Sequence, residues 1–220
     1  MRRGAIELFY TPFRPMKKLP KAAAELLSSL QSDPLWVAQR NERQKALQQQ
    51  AIAYRQAEAP LVAALEEAGV HVASVWDLVN THAPYPSAIS TLLEHLSKPY
   101  PERVREGIAR ALAVPEAHHG WPLLLAAFYK ETDTTTQGVK WALACALGAA
   151  GTDDELAEVI RLVRDRSLGR NRAPLLQVLA RSRRPEAHDL LEELQSEAEL
   201  ADDAKRASRR RRAKTGRRVP

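Results

Sequence analysis

The side chains best suited to chemistry in this chain are few, and their spacing limits what they could do. His118 and His119 follow Glu116 closely enough to suggest metal ligands. Adjacent side chains on a helix diverge by about 100°, so the pair suits a loop between helices better than a coordination site. Cys145 is the one cysteine. It stands among alanines and leucines, with no histidine or helix start beside it to stabilise a thiolate, and reads as a small buried residue. A single cysteine excludes an internal disulfide and a zinc site of several thiolates. Neither a Ser/His/Asp pattern nor a Gly-rich phosphate loop is present. No catalytic residue, metal or cofactor is therefore assigned.

What remains is chemistry of contact. Nine of the 33 basic residues lie from Lys205 onward, where no acidic residue occurs. The rest of the chain thus holds 24 basic against 27 acidic residues, and the net charge of +6 belongs to the tail. Arg209, Arg210, Arg211 and Arg212 could contact nucleic-acid phosphates or an acidic protein. No aromatic residue accompanies them to stack on bases, which disfavours sequence-specific RNA reading. Trp141 could anchor a partner from a helix face, or pack between neighbouring helices.

These groups need a frame, and the apolar residues supply it. Hydrophobic residues make up 45% of the chain, with only nine glycines; that rules out wholesale disorder, and the excess of Ala and Leu over Ile and Val favours helix. Ile89, Leu92, Leu93 and Leu96 occupy i, i+3, i+4 and i+7, one stripe of an α-helix. The same pattern returns in Trp121, Leu124, Leu125 and Phe128, then Leu156, Val159, Ile160 and Val163, then Ala187, Leu190, Leu191 and Leu194. Successive sets lie 32, 35 and 31 residues apart.

A second ladder is interleaved, each rung opened by a basic residue. Arg105 precedes Ile108, Ala109 and Leu112; Lys140 precedes Leu143, Ala144 and Leu147; Arg172 precedes Leu175, Leu176 and Leu179. The connections carry helix-ending and helix-starting signals: Pro99-Tyr100-Pro101, Asp133 to Gln137, Gly151-Thr152-Asp153-Asp154, and Pro185. Each hairpin has too little surface to bury its stripe alone, so it must stack on its neighbours.

The pairs Val104-Arg105 and Val139-Lys140, and the run Ala144-Cys145-Ala146-Leu147-Gly148, resemble the HEAT repeat, particularly the short bacterial type found in phycobilin lyase subunits. The likeness covers about residues 84 to 196. It implies an all-α fold, a short right-handed α-solenoid of antiparallel helix pairs, whose second helices line a concave face that binds partners. It also implies that the opening basic residue pairs with an acidic residue in the preceding turn. Asp133 and Asp165 lie seven residues before Lys140 and Arg172, whereas Lys98 takes that place before Arg105.

The expected organisation is an irregular extension over 1–20, N-terminal helices over 21–59 including a long polar helix, a degenerate capping repeat over 60–83, and repeats over 84–200. A basic tail, 201–220, follows. Placed on the Lys205 register, its +3, +4 and +7 residues are Ser208, Arg209 and Arg212, so the core should stop near Leu194 to Leu200. The expected function is a non-catalytic scaffold binding a protein partner through Arg105, Lys140, Trp141 and Arg172. The alternative is a nucleic-acid-associated protein using the tail; a HEAT-like DNA glycosylase or a bilin lyase ranks below both. No stretch is long and apolar enough for a membrane span, and no export signal is legible, so a cytoplasmic monomer is the default expectation.

Overall fold

The computed structural model describes residues 29–132 and 136–216, with side chains as far as residue 209. Among these the chain is helical and forms no strand. It divides into two compact units, Met1–Gln50 and Ala51–Pro220. Of the first, residues 29–50 carry only exposed or half-buried side chains. Most of them lie in α1 (Pro34–Glu67), where Arg40 sits over the ring of Trp36 and Glu42 pairs with Lys45 at 3.0 Å. The expected extension over 1–20 lies outside the described residues.

In the second unit α1 continues to Glu67 and is followed by α2 (Val75–Asn80), α3 (Ala88–His95) and α4 (Glu102–Ala111). A 3-10 helix, Pro115–Gly120, leads into α5 (Trp121–Lys130), then α6 (Gly138–Ala150) and α7 (Leu156–Arg164). A second 3-10 segment, Arg166–Leu175, precedes α8 (Leu176–Arg181); α9 (Pro185–Glu193), a short 3-10 turn and α10 (Ala201–Gly216) complete the order.

The apolar stripes are what the core is made of. All nine stripe residues after Arg105, Lys140 and Arg172 are buried, and of the four earlier sets only Leu96, Leu125 and Ile160 remain half-buried. They join one continuous cluster. In it α4 packs against α2, α3 and α6, while α6 also meets α5, α8 and the Arg166–Leu175 segment. The small residues of α6 explain its central place. A β-carbon on Gly148 would stand 2.3 Å from the Pro174 carbonyl oxygen, so only glycine permits this approach of helix to backbone.

Three boundaries differ from the sequence reading, each for a local reason. The expected start of a capping repeat at residue 60 falls inside α1, which runs through Pro60. A proline there costs about 3 kcal/mol, but Leu61 and Leu65 directly after it are fully buried, each contributing about 1.5–3 kcal/mol. The helix expected from Arg172 starts as a 3-10 segment that contains Pro174, and Gly169 upstream turns the chain at φ +53. Lastly, the core does not stop at Leu200. Leu200 and Ala204 are fully buried and Ala207 packs on the cluster. That i, i+4, i+7 stripe lies on a different face of α10 from the Lys205 register.

Gly148→Ala is expected to destabilise the protein by about 1–3 kcal/mol through overpacking, read as a lowered urea midpoint with unchanged slope.

Candidate functional site

The basic openers of the second helices turn out to have internal tasks. The Lys140 ammonium donates to the Glu131 carbonyl, the C-cap of α5, at 2.8 Å and lies 5.1 Å from the Phe128 ring centre. The Arg172 guanidinium, fully buried, donates to the Val163 carbonyl near the end of α7 at 3.1 Å and to Gly169 at 2.9 Å. Both reach back nine residues to the end of the preceding helix. Terminal carbonyls of a helix have no partner within it and carry its negative pole, so a cation in contact is favoured there. Burial thus takes Lys140 and Arg172 out of the expected partner-facing surface.

Their acidic partners also differ from expectation. Arg172 pairs at 2.5 Å with both Glu197 and Glu199, which binds the segment before α10 to the body. Arg170 assists, reaching the Glu199 carbonyl and Asp203. Asp165 instead accepts from the Ser167 hydroxyl and N–H, and those bonds hold its carboxyl below the ordinary range, with Arg172 and Lys140 adding weaker attraction. Asp133 lies outside the described residues. Trp141 is half-buried, and Trp121, buried in the core, donates its ring N–H to the Leu147 carbonyl.

Arg105 departs from this pattern. Nine residues before it stands Leu96, but Arg105 reaches forward to the Glu131 carboxylate and keeps 32% of its side chain exposed. It lines an open groove of about 640 Å³ between the end of α3, the Pro99-Tyr100-Pro101 turn and α5. Leu93, Leu96, Leu123, Ala126 and Ala127 supply apolar wall; Lys98 and Lys130 add two further cations. Leu123 is 55% exposed.

One wall of the groove is held by a hydrogen-bonded row. Lys98 Nζ lies 2.7 Å from His95 Nε2, and His95 Nδ1 lies 2.7 Å from Tyr100 Oη. An ammonium can only donate, so Nε2 accepts and Nδ1 carries the proton toward Tyr100. The two rings stack at 5.8 Å. Burial, then Lys98, lowers the His95 pKa from its ordinary 6.5, against a smaller opposing pull from Glu94. Burial also raises the Tyr100 hydroxyl. Cys145 is raised by burial, with Arg110 opposing weakly. Neither is a ready nucleophile at neutral pH. His118 and His119 are exposed on the Pro115–Gly120 turn, and no group of three or more metal-ligating side chains occurs among the described residues.

The sequence reading passed over the groove. Its signal was Leu123, apolar yet off the α5 stripe, beside Lys98 in a place where the repeat pattern has an acid. Of the tail arginines Arg209 is exposed; the side chains of Arg210, Arg211 and Arg212 lie outside those described. Among the described residues no helix is long and apolar enough to cross a membrane. No protein family, curated protein or solved structure matches the chain.

Two predictions follow from the buried groups. Arg172→Ala leaves two carboxylates and two carbonyls without their donor and is expected to cost about 3–5 kcal/mol, against less than about 1.5 kcal/mol for Trp141→Phe, by denaturant titration. For His95, a lowered folded pKa means the unfolded chain binds the proton more readily, so stability falls as pH falls through 6.5. His95→Gln should flatten that part of the stability–pH curve; an unchanged slope would show that other groups cause it.

Proposed function

We propose that the protein is a non-catalytic scaffold whose residues 84–200 form a short right-handed HEAT-like α-solenoid that binds a macromolecular partner, a protein, on the concave face of its helices. The repeat is supported at the level of single bonds: Lys140 and Arg172 each grip the end of the preceding helix at the same nine-residue interval. Seven stripes of one spacing share one core, as stacked hairpins require. The binding role rests on the solvent access that Arg105 and Trp141 keep on the second helices. Arg105 also borders the open groove between the first helices α3 and α5, where Leu123 stands exposed among cations. An apolar trough bordered by a few polar groups is a form that binding sites use.

Of the residues expected to meet the partner, Arg105 and Trp141 keep that role, since both retain solvent access. The cytoplasm is the proposed compartment, and nucleic-acid association through the tail is the competing reading.

A photo-reactive amino acid placed at Leu123 or Trp141 of the full chain, irradiated in lysate of the producing cells, should crosslink the same protein reproducibly. Placed at exposed Glu192 it should not. Recovery of nucleic acid alone, or of no reproducible protein, overturns the scaffold reading.

A further inference from the structure

We propose that the groove between α3 and α5 receives an acidic segment of a partner protein, anchored by apolar side chains; the proposal rests on the scaffold reading above. Its charge is the first argument. Lys98, Arg105 and Lys130 come from three separate elements around one trough, and the single carboxylate lining it, Glu131, is engaged by Arg105. The complement of such a rim is a chain bearing several carboxylates. Its apolar floor is the second. Leu93 and Leu96, with the exposed Leu123, offer an aliphatic track that a polyanion without apolar side chains would leave wet.

The third argument is the exception in the ladder. Lys140 and Arg172 spend donors on helix-ending carbonyls, whereas Arg105 leaves its equivalent position and neutralises Glu131 at the groove wall, so Lys98 and Lys130 keep the trough net positive. Lys98 is held in place by His95, which reduces the ordering cost of binding. Tyr100 keeps a hydroxyl hydrogen to donate while His95 donates to it.

Nucleic acid fits less well. The walls are aliphatic, and the aromatic ring present, Tyr100, already stacks on His95, so bases find no platform.

The test uses the full chain and a fluorescein-labelled peptide of glutamates carrying two leucines four positions apart, followed by anisotropy. A lysine-for-glutamate version, oligothymidine and dodecanoate serve as competitors. The glutamate peptide should bind, lose affinity with added salt, and resist competition by the other three. Lys130→Glu and Leu123→Asp should each weaken it by about five- to tenfold. Both side chains are exposed, so circular dichroism should stay unchanged. Absence of peptide binding, indifference to both substitutions, or stronger binding of oligothymidine or dodecanoate at the same residues overturns the proposal. A partner crosslinked at Trp141 but not displaced by the glutamate peptide would overturn this site and spare the scaffold reading. Peptide binding as described, with no crosslinked protein, would do the reverse.

Discussion

A helix that ends inside a protein leaves carbonyls or N–H groups that water no longer reaches, and each must be given a partner. That constraint accounts for most of the charged groups buried here. Glu58, near the end of α1, turns back to accept from the Ser74 hydroxyl and the Val75 N–H at the start of α2. Lys140 serves the end of α5, and Arg172 that of α7. Around the end of α6, Trp121 holds the Leu147 carbonyl while Arg181 takes those of Gly148 and Gly151. Short helices multiply such ends, so an array of them needs polar side chains at regular intervals as much as it needs leucines.

The same constraint explains how the C-terminal helix is held. A helix as charged as α10 has little apolar surface to offer: Ala204 is buried and Ala207 partly so, with Leu200 buried just before its start. Arg172 and Arg170 supply the rest by gripping Glu197 and Glu199 before it and Asp203 in its first turn. Arg172 therefore closes one helix and fastens another. A buried guanidinium with two carboxylates and two carbonyls is well compensated, and its charge leaves no field for a partner.

The groove owes its character to the first pair of helices, where this economy is not followed. Arg105 has the ladder position but not the ladder contact. Lys98 stands where the pattern has an acid, and its ammonium finds a neutral histidine instead of a carboxylate. Lys98 and Lys130, with the Arg105–Glu131 pair beside them, thus border a trough with aliphatic walls.

Spacing along the chain was enough to predict the helices and their buried faces, from Ile89 to Leu194, because an α-helix converts sequence interval into angular position without reference to anything distant. It was enough also for Trp121 in the core and for the proline and glycine boundaries. It could not say where a long polar side chain ends. Lys140 and Arg172 look like surface cations in sequence, since the carbonyls they satisfy belong to another helix and carry no residue signature. Nor could it show that Glu197 and Glu199 would meet Arg172 instead of Asp165, or that α10 would bury an alanine face rather than project. Those outcomes depend on which backbone groups the packing of neighbouring helices cuts off from water, and that is decided only when the helices are assembled.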